Sequence, residues 1–217
     1  RGIACHVDAC MGGMLLPFLE RLGEPIPPWD FRVPGVTSIS VDLHKYGYTA
    51  KGASVLIHRS KQLRQHQTFI TDNWLGGLYA SSGILGTKGG GAIAAAWAVM
   101  QYLGRDGYLR LTQTARQTLE ALLAGLRRIP EVVVLGQPAA TLLAFTLRDV
   151  DVFAVGNILH HNGWFLDQQK PPPSLHCTVN ASHATVIDDF LAALRVAIDE
   201  ARIATAKATQ AAYGSLE

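Results

Sequence analysis

Asp8 and Lys45 are the residues whose types and places in this chain point first to chemistry. Asp8 follows the apolar run "IACHV", and Lys45, preceded by His44, follows "VTSISV"; both runs have strand character. In open α/β sheets, ligands sit at the carboxyl ends of strands. A lysine at the end of a buried strand has lost much of its water, which is costly unless the amine is used. An acid and an amine that each end a strand suit pyridoxal phosphate. Its aldehyde needs an amine to form a Schiff base, and its ring nitrogen needs a buried carboxylate to keep a proton in place. On this reading Lys45 takes the Schiff base and Asp8 faces the pyridine nitrogen. The residues alone leave other readings open. A strand-end Asp also makes turns and helix caps, and a single Lys also serves as a solvated surface group. "CHVDAC" gathers Cys5, His6, Asp8 and Cys10. Strand alternation puts Cys5 on the opposite face from the other three, and no second Cys/His pair follows at zinc-site spacing, so no metal is expected.

The elements that must position these groups change character near residue 104. Up to there the signals are α/β: strands at "IACHV", "VTSISV" and "ASVLIH", a short helix over "MLLPFLERLG" ending at Gly23, and a longer one over "GAIAAAWAVMQYLG". Beyond it, Tyr108, Leu111, Ala115, Leu119, Leu122 and Leu126 recur at helical spacing. "EVVVLG", "TLLAFTLR", "GWFLDQ" and "LHCTVN" read as strands, with a helix over "DVFAVGNILHHNG" that Gly163 stops. Ile187, Phe190, Leu191, Leu194 and Ile198 mark one face of a closing helix. Helices on one side of a small antiparallel sheet follow from this order. "KPPPS" is a loop between two strands. The expected division is 1–104 and 105–217.

Composition narrows the class. The 217 residues are 48% hydrophobic and 17% charged, enough for one large or two modest cores. A net charge of +2 gives no electrostatic footprint for nucleic acid. No apolar run reaches membrane-span length. Three cysteines do not make a disulfide framework, which favours a reducing compartment. With an Ala-, Leu- and Gly-rich composition, the expected location is cytoplasmic. The opening "RGIACHVDAC" reads as the inside of a strand, so the N-terminal part of a larger domain is expected to be missing from this chain.

Three segments carry a resemblance: "HVDACMGGMLLPF", "DFRVPGVTSISVDLHKYGYTAKGASVLIHR" and "WLGGLYASSGILGTKGGG". From His6 to about Gly107 the chain resembles the sphingosine-1-phosphate lyase family, in the group II decarboxylase branch of fold-type I pyridoxal phosphate enzymes. The resemblance implies the C-terminal part of the large α/β domain followed by a small α+β domain. It matches Lys45 to the Schiff-base lysine and Asp8 to the acid at the pyridine nitrogen. His44 matches a residue that helps hold the cofactor phosphate, and Cys10 one that packs on a face of the ring. Lys51 matches a lysine that binds the substrate's phosphate, a role suited to a compact ammonium. For each of these three the plain alternative stands beside it: a satisfied core histidine, a buried cysteine, a solvated turn lysine. In "YASSGILGTKGGG", Thr87, Lys88 and Gly89 stand where the family has Ser, Arg and Pro. That loop lies near the partner subunit's cofactor in the family. Thr87 keeps a hydroxyl for the cofactor and Lys88 a charge for the substrate, though without an arginine's bidentate geometry. Tyr79 is a further pocket phenol.

What the resemblance implies is retro-aldol cleavage of a phosphorylated sphingoid base to a fatty aldehyde and phosphoethanolamine, in a homodimer with sites at the subunit boundary. The absence of proline before His44 departs from the aromatic decarboxylases and favours the lyase. A pyridoxal-dependent amino-acid decarboxylase is the alternative, and a non-catalytic protein that keeps the fold is a third reading.

Overall fold

The parallel pairing of two strands fixes where the functional groups emerge. In the computed structural model, which describes residues 2–203, the chain divides into two compact units, Arg1–Leu109 and Arg110–Glu217. Unit 1 holds a three-stranded sheet in the order β1 (Cys5–Asp8), β2 (Val36–Asp42), β3 (Ser54–His58). β1 runs parallel to β2 with Asp8 opposite Ser40, and β3 returns antiparallel with Ser54 opposite Asp42. The carboxyl ends of β1 and β2 and the start of β3 therefore meet at one end of the sheet. Val36, Ile39 and Val41 of β2 are buried with Ala9.

The connection from β1 to β2 packs tightly. A Cβ on Gly13 would lie 2.5 Å from a Val41 methyl, so only glycine lets this turn lie against the central strand. Helix α1 (Leu16–Arg21) follows, with Pro17 in its first turn and Gly23 at φ +88° just beyond its end. After β3 comes the single turn α2 (Lys61–Arg64), whose Leu63 amide donates to the capping Ser60 hydroxyl at 3.2 Å. Strands β4 (Phe69–Thr71) and β5 (Tyr79–Ser81) form a small antiparallel hairpin that the sequence reading did not contain. Helix α3 (Gly90–Leu126) breaks at Gly104, where φ 56° and ψ −172° are open to glycine alone.

Unit 2 contains the four-stranded antiparallel sheet β6 (Val132–Leu135), β7 (Leu142–Leu147), β9 (Ser174–Thr178), β8 (Asp167–Gln169), in that order. Helix α4 (Val152–His161) is capped by Asp151, which accepts from the amides of Phe153 and Ala154; Gly163 follows its end at φ +83°. Helix α5 (Ile187–Ile203) buries Ile187, Phe190, Leu194 and Ile198, the face its spacing marked. These pack with Leu119, Leu122, Leu126, Phe145 and Leu175 into one core. Each such side chain contributes about 1.5–3 kcal/mol. "GWFLDQ" pairs only over its end: Trp164 and Leu166 pack against the core before β8 begins. "KPPPS" forms the turn between β8 and β9. No described helix is long and apolar enough to cross a membrane.

Candidate active site

Lys45 sits in the turn that leaves β2. The turn is closed by hydrogen bonds from the Tyr48 amide to the Lys45 carbonyl (3.0 Å) and from the Thr49 amide to the Leu43 carbonyl (3.3 Å). A Cβ on Gly47 would lie 2.2 Å from the Leu43 carbonyl oxygen, so the turn closes only with glycine there. From outside the turn, the buried Tyr108 hydroxyl donates to the Gly47 carbonyl at 2.9 Å.

The Lys45 side chain is 30% exposed and its Nζ has two close partners: Cys10 Sγ at 2.9 Å and Asp42 Oδ2 at 3.2 Å. The partial burial of the amine works against its charge, and these two neighbours more than offset it, so its pKa is raised. Asp42 is in turn held by the Ser54 hydroxyl, which donates to Oδ1 at 2.5 Å, and His44 Nε2 lies 3.9 Å from its Oδ2. The carboxyl of Asp42 titrates low because the Ser54 and Lys45 bonds favour the anion over the burial that opposes it.

Asp8 accepts from the Cys10 amide at 3.0 Å and from the Ser40 hydroxyl at 3.4 Å. The Cys10 backbone bond is the main reason its pKa is lowered, and the charge on Lys45 adds to it. Within this chain the Asp8 side chain is exposed. It ends a strand at the sheet's edge, and hydrogen bonds rather than desolvation set its ionisation. The carboxylate in direct contact with Lys45 is Asp42, which sequence reasoning missed. Its only signal was an acid three residues before the lysine; Ser54, which orients it, comes twelve residues later. His6 is fully engaged, with Nδ1 at 2.8 Å from Ser38 Oγ and Nε2 at 3.1 Å from Ser40 Oγ.

The other candidates fall outside this cluster. Lys51 is exposed in the turn before β3. Tyr79 packs its ring near Phe69 and Trp74, at centroid distances of 6.5 and 6.0 Å. Thr87 and Lys88 are exposed between β5 and α3. Among the described residues, no hydrogen bond or ion pair joins any of these four to Lys45, Asp8 or His44.

The donor set at the sheet's end fits pyridoxal phosphate. It holds an accessible amine, an ionised carboxylate and a buried imidazole nitrogen, His44 Nδ1, that has no hydrogen-bond partner among the described residues. A buried nitrogen left unpaired is costly, and a phosphate oxygen is a suitable partner for it. Lys45, Asp8 and His44 are the residues that could hold the cofactor, with Cys10 beside the amine.

Comparison with known proteins agrees with this chemistry. The model of the pyridoxal-dependent decarboxylase conserved domain matches residues 1–148. The sphingosine-1-phosphate lyase of Arabidopsis thaliana is 44% identical over 91% of this chain and 36% of its own length. The enzyme of that name from Dictyostelium discoideum is 40% identical over 98% of the chain and 41% of its own. The chain thus spans well under half the length of these curated relatives. Among solved structures, the sphingosine-1-phosphate lyase of Burkholderia pseudomallei matches with TM-score 0.84 and 43% identity, over 91% of this chain and 46% of that one. A glutamate decarboxylase of Lactobacillus brevis matches at TM-score 0.78 and 23% identity, over 94% and 48%, which is a likeness of fold. The chain belongs to the pyridoxal-dependent decarboxylase family, and its fold is part of that of the fold-type I pyridoxal phosphate enzymes.

Proposed function

We propose that this chain supplies the lysine-bearing part of the active site of a pyridoxal-phosphate-dependent carbon–carbon lyase. Its substrate is a phosphorylated long-chain base of the sphingosine 1-phosphate type, cleaved by retro-aldol chemistry to a fatty aldehyde and phosphoethanolamine. The observation that carries the reading is the accessible Lys45 amine and the ionised Asp8 at the same end of two parallel strands. Similarity to sphingosine-1-phosphate lyases through both units supports the lyase over the amino-acid decarboxylase.

Pyridoxal phosphate, when bound, supplies an aldehyde that exchanges amines and a ring that draws electrons from the bond to be broken. Asp8 keeps a proton on the ring nitrogen, because a carboxylate that titrates low remains an anion at neutral pH and favours a cation beside it. Lys45 would provide the tethering amine, and its Nζ, when free, could carry protons at the pocket. His44 Nδ1 binds the cofactor phosphate, and Cys10 packs on the ring. Lys51 holds the substrate's phosphate. Tyr79, Thr87 and Lys88 complete the pocket across a homodimer boundary, Thr87 toward the cofactor and the other two toward the substrate. A cytoplasmic location belongs to the same reading.

Product analysis tests it. The full-length protein is mixed with a phosphorylated long-chain base and, separately, with common amino acids, and aldehyde and carbon dioxide are assayed in parallel. Aldehyde from the phosphorylated base alone is the expected result. Carbon dioxide without aldehyde would replace the lyase by an amino-acid decarboxylase and return Lys51 to a turn lysine. Protein that shows no imine absorbance with added pyridoxal phosphate would favour the non-catalytic reading.

A further inference from the structure

We infer that Asp42 is a positioning residue for Lys45: held by Ser54, it keeps the Lys45 side chain at the sheet's end and sets the pH at which that amine can react. The inference deepens the proposed function and rests on Lys45 being the cofactor lysine.

The geometry is specific. Asp42 is the last residue of β2, and the antiparallel register places Ser54, the first residue of β3, opposite it. The Ser54 hydroxyl donates to one carboxylate oxygen at 2.5 Å, while the other oxygen takes Lys45 Nζ at 3.2 Å. One oxygen is thus fixed to the sheet and the other to the amine. With a partner on each oxygen the carboxylate is restrained, and the Ser54 bond keeps the anion near the amine. Lys45 lies three residues after Asp42, and the tight turn between them brings its side chain back over the strand that it leaves. His44 Nε2, at 3.9 Å from the same oxygen, is the third group on this carboxylate.

The titratable groups facing Lys45 are Cys10 beyond β1, Asp8 at its end and Asp42 at the end of β2. His44 Nε2 approaches the same oxygen of Asp42 as the amine does. Tyr48 is in the turn itself, and Tyr108 donates to it from α3. Of these, Asp42 is the carboxylate in direct contact with the amine. An amine condenses with an aldehyde only when neutral, so a fixed anion 3.2 Å away raises the pH at which condensation begins. Against the burial that opposes its charge, the Lys45 amine is held protonated by the Cys10 contact and then by Asp42.

The test follows condensation itself rather than turnover. Full-length protein stripped of cofactor is mixed with pyridoxal phosphate across a pH series. The imine is trapped with cyanoborohydride and labelling at Lys45 is quantified by peptide mapping. In Asp42→Asn, the midpoint of labelling is expected to fall by about one pH unit. Labelling well below both midpoints should then rise about tenfold. Asp42→Glu keeps the charge and should restore most of the shift. Ser54→Ala, which leaves the carboxylate in place but unheld, should lower the midpoint by less; it also serves if Asp42→Asn does not fold. A purely structural role would reduce the extent of labelling in the Asn and Ala variants without moving the midpoint, and that result overturns the inference. A midpoint that rises overturns it as well. Absence of labelling at Lys45 in the unaltered protein is a different failure: it removes the cofactor lysine, and the proposed function with it.

Discussion

Tyr108→Phe isolates one bond that joins the fold to the candidate site. The phenol is 4% exposed, its ring stacks on Phe18 at 5.2 Å, and its hydroxyl donates to the Gly47 carbonyl at 2.9 Å. Phenylalanine keeps the ring, so the apolar burial and the stacking remain and only the hydroxyl is lost. Gly47 is itself buried, and its carbonyl then loses this partner where water does not readily replace it. Leaving a buried acceptor unpaired costs about 1–3 kcal/mol. The cost falls on a turn that already carries Tyr48 at φ 57°, an uncommon backbone region for a bulky residue. Urea unfolding of the full-length protein, followed by circular dichroism, should therefore show a loss within that range, together with weaker retention of pyridoxal phosphate at Lys45. Burial pushes the Tyr108 hydroxyl above its ordinary value of 10.0, so it stays a donor through neutral pH and the deficit should not change between about pH 6 and 9. A Phe variant with stability within about 0.5 kcal/mol of the parent and unaltered cofactor retention would refute this anchoring.

Two further outcomes follow from local geometry. Gly47→Ala places a methyl 2.2 Å from the Leu43 carbonyl oxygen, a backbone atom that cannot swing away. A loss of about 1–3 kcal/mol and poor cofactor binding are expected, measured by the same unfolding and labelling assays. His183 titrates low because of burial, and its Nδ1 accepts from the Asn180 amide at 3.2 Å. Its folded pKa is below the unfolded value near 6.5, so this contribution is complete above about pH 6.5 and declines as pH falls toward the folded pKa. Unfolding of unit 2, followed over pH 5–8, should show that slope, and His183→Gln should flatten it.

The elements legible in the sequence were those held by repeated spacing. The stripe from Ala115 to Leu126 and the face from Ile187 to Ile198 bury as their periodicity implies, because a helix face needs only local pattern to be recognised. Strand β2 was equally plain as a short β-branched run. The β4–β5 hairpin was not: Phe69, Ile70 and Leu78 are exposed, so no buried face imposes an alternation on them. At the candidate site, Asp8 and Lys45 could be singled out because one closes a strand and the other follows one closely. Asp42 could not, since its importance comes from Ser54 across an antiparallel register and from Lys45 across a turn. His6 is bridged to two serines on β2, a pairing that depends on the parallel register.

The two units also divide the physical tasks unequally. Unit 2 builds a continuous core around Phe145, Leu159, Leu175 and Leu194, all fully buried. In unit 1, Ala9, Val36, Ile39 and Val41 form a smaller buried cluster, with Val7, Met14 and Leu43 packed against it. Polar bonds gather at the end of that unit's sheet. Asp8 to Cys10 and Ser40, Asp42 to Ser54 and Lys45, and Tyr108 to Gly47 lie on three separate approaches to one turn. The partly exposed bonds among them contribute only about 0.5–1.5 kcal/mol each, less than the buried Tyr108 bond. Their effect is geometric: together they fix the position of one amine relative to two carboxylates. That is the condition under which small changes in charge at Asp42 or Asp8 alter the chemistry of Lys45 without dismantling the fold.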